Sequence, residues 1–344
     1  MDARRSGGNG LPHVSPVAAR SDMGYSALMS TLAPQRPQVA SVSLAASAAD
    51  PEAFAAELGG SFERYGFAII ADHGIPADLI RRAEEKAKAF FALPEEVKRR
   101  YKIEGGGGAR GYTPFGIETA KGASAYDLKE FWHVGRELPA GHHYEAVMAP
   151  NVWPEEVQSF RDTFLELFAA FDTAGLRILE AIARYLKLAP DYFADTVRDG
   201  NSVLRLLHYP PTDGNGPNVR AGAHEDINTI TLLLGAEEAG LQLLDRDGNW
   251  LPVSPKPGEL AVNIGDMLQR LTNGVLRSTT HRVVNPPPER RGHSRYSMPF
   301  FLHFRPDFMI ETLPQCVSDE RPRQWPPISS HDYLLERLRE IKLA

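Results

Sequence analysis

The feature that most constrains this chain is a change of pattern at Asn201. Before it, apolar residues recur every three or four positions; after it come short apolar runs separated by Gly, Pro, Asn and Asp. These runs are SVLRLLHY, DINTITLLL, LQLLD, WLPV, ELAVNIGD, THRVV and RYSMPFFLHF. Runs of this length and spacing predict an all-β sandwich or barrel, preceded by helices able to cover one of its faces. The fold class is therefore mainly β with flanking helices.

Upstream, PEAFAAELGGSFERYG sets Phe54, Leu58, Phe62 and Tyr65 on one helical face after a proline suited to a helix start. GFAIIADHGI reads as a buried strand and turn, a second helix runs from Asp78 to Leu93, and a third begins after Pro94. Val157, Phe160, Phe164, Phe168, Phe171, Ile178, Ile182 and Tyr185 mark one long helix or two consecutive ones. GGGGARGY at 105–112 is a loop free to sit beside a site, and ISSHDYLLERLREIKL closes the chain as an amphipathic helix. Residues 1–39 are rich in Gly, Pro, Ser, Ala and Arg, a composition expected of a disordered tail, and Met23 and Met29 within it leave room for a later translation start. The expected partition is a tail (1–39), a helical and strand region (40–200), a β core (201–310) and a C-terminal segment and helix (311–344).

Composition narrows the function. A formal charge of -6 carries no basic footprint for phosphate neutralisation, so nucleic acid is not an expected partner. Cys316 is the single cysteine, which excludes a disulfide framework and a thiolate cluster and suggests a reducing compartment. Any metal must then be held by His, Asp or Glu. No apolar run approaches the roughly 20 residues that span a bilayer, and the N-terminus lacks a signal-peptide core, so the expectation is a cytoplasmic protein acting on a small molecule away from membranes.

Two clusters carry chemistry. His224 and Asp226 flank Glu225 at the start of a β-like run, where residues two apart share a face, and His281 opens THRVV 55 residues beyond Asp226. Two imidazoles and a carboxylate form the facial set used for non-haem iron(II), with open positions left for chemistry. The pair is weak by itself: with 11 histidines and 44 acidic residues a His-x-Asp/Glu arises by chance once or twice, and His143-Tyr144-Glu145 is another. Strand context favours His224 over His143. The second cluster is Arg295-Tyr296-Ser297, whose arginine and serine share a strand face and could take a small dicarboxylate through a charge-assisted fork.

The ordered series His224, Asp226, His281, Arg295 and Ser297, with the blocks ERYGFAIIADHGI, FFALPEEVK, RGY, DLKEFWHVGREL and NIGDMLQRLTNGVLRSTTHRVVNP, resembles the isopenicillin N synthase-like family of non-haem iron oxygenases. The resemblance runs from about residue 40 to the end. It implies a double-stranded β-helix (jelly-roll) core with an N-terminal helical region. It implies iron(II) at His224, Asp226 and His281, with 2-oxoglutarate as co-substrate and dioxygen as oxidant. Arg295 and Ser297, helped by Tyr209, would bind the far carboxylate of 2-oxoglutarate. The expected outcome is succinate, carbon dioxide and an oxidised, usually hydroxylated, small molecule. Many plant members carry Asn-Tyr-Tyr-Pro where this chain has Leu207-His208-Tyr209-Pro210, so the asparagine's contact is missing here. By position, Arg110, Tyr112, Phe115 and Phe131 would border the substrate; His73 reads as structural and His303 as a packed strand histidine. The alternatives are a same-family oxidase that does not use 2-oxoglutarate, an ethylene- and succinate-forming enzyme, a zinc hydrolase, and a non-catalytic β-sandwich binding protein. No HExxH helix supports the hydrolase.

Overall fold

The computed structural model describes residues 38–106, 108–117, 126–212, 219–234 and 240–340, so the expected tail lies almost wholly outside the described residues. Its strands are β1 (Ser41–Ser43), β2 (Phe67–Ala71), β3 (Gly111–Thr113), β4 (Glu130–Gly135), β5 (Val203–Tyr209), β6 (Ala221–His224), β7 (Ile230–Leu234), β8 (Leu241–Leu244), β9 (Trp250–Pro252), β10 (Leu260–Ile264), β11 (His281–Val283), β12 (Arg295–Ser297), β13 (Pro299–Leu302), β14 (Met309–Ile310) and β15 (Ile328–Ser329). A major sheet follows the order β1-β2-β10-β7-β13-β5-β4-β3, with β12 also on β5. A minor sheet follows β6-β11-β8-β9, and β14 pairs with β15. This is the double-stranded β-helix core implied by the resemblance.

Period-two alternation sets the layers. Ala68, Ile70, Trp132, Leu204, Leu206, Leu232, Val262 and Phe300 point from the major sheet into a core shared with Phe164, Phe168, Phe171 and Ile178 of the Phe160–Tyr185 helix. The residues between them in sequence turn the other way. Phe67, Ile69 and Ala261 meet Ala221, Leu241, Leu243 and Val283 of the minor sheet in a second core. One face of the major sheet is thus covered by helices, and the opposite face closes on the minor sheet.

The Phe160–Tyr185 helix is continuous, which decides between the one- and two-helix readings. Gly175 lets it approach the sheet, since a Cβ there would lie 2.4 Å from Leu302 Cδ1. The other expected helices appear at Pro51–Tyr65, Ala77–Phe91, Glu95–Arg99 and Ser330–Glu340. RYSMPFFLHF departs from its reading as one strand. It breaks at Met298 into β12, which pairs only with β5, and β13, which pairs with both β5 and β7. No helix among the described residues is long and apolar enough to cross a membrane.

Phe300 joins the layers: fully buried, it stacks on Phe171 at 5.3 Å and meets Phe168 edge-on at 4.9 Å. Phe300→Ala is expected to cost about 3–5 kcal/mol in urea unfolding through the cavity it leaves. A loss below about 1 kcal/mol would mean that helix and sheet are held together elsewhere.

Candidate active site

Register brings the two histidines together. β6 and β11 run antiparallel with His224 opposite His281, and their ring centroids are 4.4 Å apart. Each ring is oriented by its own strand: Nδ1 donates to the carbonyl oxygen two residues earlier, Gly222 for His224 (2.7 Å) and Thr279 for His281 (3.0 Å). Both Nε2 atoms are left with lone pairs, the tautomer a metal needs. Each lies 3.8 Å from Asp226 Oδ1. The ligand atoms of His224, Asp226 and His281 all fall within 4.8 Å of one another, and among the described residues no other group of three or more His, Cys, Asp or Glu does this.

Asp226 reaches this point differently from the strand argument. β6 ends at His224 and β7 begins only at Ile230, so Asp226 lies in the connecting turn. Its position is fixed by hydrogen bonds rather than by strand alternation. Thr231 Oγ1 (2.5 Å) and Asn263 Nδ2 (2.8 Å) both donate to Oδ2, and the Asp266 N–H donates to the Asp226 carbonyl oxygen at 2.8 Å. Gly265 makes the close packing of this turn sterically feasible, because a Cβ there would stand 2.1 Å from the Asn228 carbonyl oxygen. With Oδ2 engaged, Oδ1 faces the imidazoles. Burial pushes the Asp226 carboxyl up, but His281, His224 and the Asn263 and Thr231 hydrogen bonds together hold it below its ordinary value. The His224 imidazole is pushed down to about 4, first by the protein packed around it and then by repulsion from His281. Two imidazoles beside a carboxylate fit a divalent cation.

Arg295 and Ser297 share the inner face of β12, and Arg295 is the register partner of Tyr209, its guanidinium carbon 5.1 Å from that ring. All three are buried. Leu207 turns inward with Phe131 and Tyr209 as a small apolar cluster, so an apolar group stands where plant relatives place asparagine. His208 faces the other way. It stacks on Tyr296 at 4.9 Å, and its Nδ1 bonds the fully buried carboxylate of Glu130 at 2.7 Å, which also accepts from Lys98 at 2.7 Å and from Tyr112. Burial raises the Glu130 pKa, but those three donors outweigh it and hold the carboxylate ionised.

A cavity of about 760 Å³ opens beside the triad, lined by His224 and Asp226 but not by Arg295, Ser297 or Tyr209. Of the four substrate candidates, Arg110 and Phe131 line it; Tyr112 and Phe115 do not. Tyr112 pairs with Trp132 across β3 and β4, and so points into the helix-covered core, one residue out of phase with Phe131. Phe115 is exposed and lies edge-on to His208 at 6.4 Å. His73 is structural as expected, accepting from the Ile75 N–H at Nδ1 and donating from Nε2 to the Gly258 carbonyl oxygen at 2.8 Å.

Several residues of the site were not anticipated. Thr231 and Asn263 interrupt the apolar strands ITLLL and LAVNI at inward positions, and a polar residue in such a run was the available signal. Arg205, a further cavity residue, holds its guanidinium carbon 4.3 Å from the Phe131 ring and 5.3 Å from the Phe301 ring. One wall comes from Leu334, Leu335 and Leu338 of the Ser330–Glu340 helix, more than 100 residues beyond the triad's first histidine. The amphipathic pattern of that helix was legible, but not what it covers.

Comparison with known proteins gives a consistent picture. Residues 38–156 match the family described as the N-terminal region of the non-haem dioxygenase in morphine synthesis, and residues 200–304 match the 2OG-Fe(II) oxygenase superfamily. The chain is 36% identical over 283 residues to the 2-oxoglutarate-Fe(II) type oxidoreductase hxnY of Emericella nidulans, covering 79% of this chain and 80% of that one. A 2OG-Fe(II) oxygenase family protein from Caulobacter crescentus is 59% identical with a TM-score of 0.83, over 88% of this chain and 99% of that one. A full-length Neurospora crassa protein, solved in complex with alpha-KG and thymine, is 28% identical with a TM-score of 0.78, over 88% of this chain and 96% of that one.

Asn263→Ala is expected to weaken metal binding about 10- to 100-fold, because it strips a donor from the Asp226 oxygen that faces away from the imidazoles. Anaerobic titration with iron(II) reads this directly. Wild-type affinity in the variant would remove Asn263 from the orientation of Asp226.

Proposed function

Because the chain belongs to the 2OG-Fe(II) oxygenase superfamily, we propose that His224, Asp226 and His281 hold iron(II), that Arg295 and Ser297 with Tyr209 bind the far carboxylate of 2-oxoglutarate, and that the adjacent cavity takes the prime substrate. The enzyme is an iron(II)- and 2-oxoglutarate-dependent oxygenase of a small molecule. The observation that carries the residue assignment is the convergence of two Nε2 lone pairs and one free carboxylate oxygen, with Nδ1 of each ring and Oδ2 of Asp226 already engaged. The hydrolase and non-catalytic readings fall away with family membership.

Bound iron(II), with 2-oxoglutarate and dioxygen, supplies an oxidation that releases succinate and carbon dioxide and ordinarily hydroxylates the substrate. The chain's own residues hold and orient. Arg295 offers a permanent buried cation for a carboxylate, with the Ser297 hydroxyl on the same face. Thr231 and Asn263 keep the second Asp226 oxygen occupied, so the carboxylate cannot rotate without losing both bonds. The cavity falls within the roughly 300–1,000 Å³ usual for small-molecule sites. Apart from the triad it carries more positive groups (Arg110, Lys129, Arg205, Arg337) than negative ones (Asp127, Glu225). Together with the thymine bound to the Neurospora neighbour, this supports a small, polar prime substrate.

Purified protein given iron(II) and 2-oxoglutarate without oxygen should develop a weak visible charge-transfer band, and should form succinate once air is admitted. His224→Ala is expected to abolish both signals, and as much succinate from this variant as from wild type would sink the iron assignment. Arg295→Ala is expected to raise the KM for 2-oxoglutarate about 10- to 100-fold, from loss of a charge-assisted bond, with iron still bound. An unchanged KM would take Arg295 out of the co-substrate site.

A further inference from the structure

The cavity contains a third histidine presented in the same way as the two of the triad. His303 follows β13, is buried, and donates from Nδ1 to the Phe301 carbonyl oxygen at 3.1 Å, again two residues back along its own chain. Its ring lines the cavity, and Nε2 has no hydrogen-bond partner among the described residues. Burial pushes its imidazole down to about 4, so at neutral pH Nε2 is a lone-pair acceptor.

The β5–β13 register pairs Leu204 with Phe300 and Val203 with Phe301. Continued one step past the last paired residues on the same face, that register would set Asn201 opposite His303. The two chains stay close there: the His303 N–H donates to Ser202 Oγ at 3.2 Å, and a Cβ on Gly200 would lie 2.2 Å from the His303 carbonyl oxygen. Antiparallel partners on one face hold their side chains about 5 Å apart. Asn201 accepts from Arg110 Nη2 at 3.2 Å, and because a guanidinium can only donate, the oxygen of the amide must be the atom turned to Arg110. Nδ2 is therefore turned away with two hydrogens to give, and it has no partner among the described residues. Asn201 also lines the cavity.

We propose that His303 Nε2 and Asn201 Nδ2 form an acceptor and donor pair that reads an amide-type edge of the prime substrate, an N–H beside a C=O as in a lactam, imide or pyridone. The proposal rests on the reading of the cavity as the prime-substrate site. The pair matches such an edge atom for atom, whereas a carboxylate would set an oxygen lone pair against the Nε2 lone pair. Arg110, expected to touch the substrate, becomes a positioning residue: its three hydrogen bonds, to Ala149, Ala109 and Asn201, lock the amide in the orientation that exposes the donor.

The test uses 2-pyridone and N-methyl-2-pyridone, which differ in the N–H, with the iron(II)- and 2-oxoglutarate-loaded protein under anaerobic conditions, read by calorimetry. Wild type should bind 2-pyridone about tenfold more tightly than its N-methyl analogue, or better. His303→Phe, which removes the acceptor of the N–H, should bring the two affinities within about twofold, whereas Asn201→Asp, which keeps the shape but replaces the donor to the carbonyl by an acceptor, should weaken both probes by about the same factor, since both keep the carbonyl. Leu335→Trp, which fills the cavity, should abolish binding of both probes. The wild-type comparison holds whether or not a variant folds. If Leu335→Trp leaves binding unchanged, the cavity is not the substrate site and both readings fall. If Leu335→Trp abolishes binding but the N-methyl group makes no difference in wild type, the donor and acceptor pair is wrong and the cavity reading stands. Wild type that binds neither probe also overturns the amide-edge assignment.

Discussion

The centre of this protein depends on how one buried carboxylate is divided. Asp226 gives Oδ2 to Thr231 and Asn263 and keeps Oδ1 for the two imidazoles. A buried charge is tolerable only when paired and hydrogen-bonded, so its partners must arrive together from separate parts of the chain. β7 and β10 of the major sheet contribute the two donors, while β6 and β11 of the minor sheet contribute the histidines. Closing the two sheets on each other is therefore the same event as assembling the triad. The apolar contacts of Phe67, Ile69, Ala261, Leu243 and Val283 hold that closure.

The inner face of the major sheet then reads as a graded surface. From Asn201, just before β5, it passes through Val203 and Arg205 to Leu207 and Tyr209 of that strand, and Phe301 and Arg295 belong to the strands paired with it. The cavity end offers polar groups of both kinds, and the Tyr209 end offers a buried cation. The Ser330–Glu340 helix closes the cavity while anchored elsewhere: Tyr333 and Arg337 both reach Asp266 at 3.4 Å. Asp266 donates through its backbone to Asp226. The helix that walls the cavity and the turn that carries the carboxylate are thus fastened to the same residue.

Much of this was readable in advance, and the misses share a cause. The apolar runs after Asn201 became strands, and Arg295 and Ser297 share a face because a period of two is a local property of extended chain. Asp226 was assigned to a strand for the same reason, yet it sits in a turn whose direction is set by Gly265 against Asn228 and by donors more than 30 residues away in sequence, such as Asn263. Tyr112 and Phe131 looked equivalent as aromatic residues of one segment, but register across β3 and β4 sends them to opposite faces. RYSMPFFLHF looked like one strand because its apolar character is continuous; the break at Met298 comes from a change of partner.

The sequence by itself determined the layering, since strand alternation and helical spacing depend only on which side of the backbone each side chain leaves. It also determined the ligand types and their order, because a single cysteine leaves only nitrogen and oxygen donors for a metal. Only the tertiary structure decided that Asp226 Oδ1 faces His224 and His281, that the C-terminal helix walls the cavity, and that Asn201 and His303 both line it. Each of these is a matter of register or turn direction between distant segments, and those are set by packing and by hydrogen bonds formed only after the two sheets have closed.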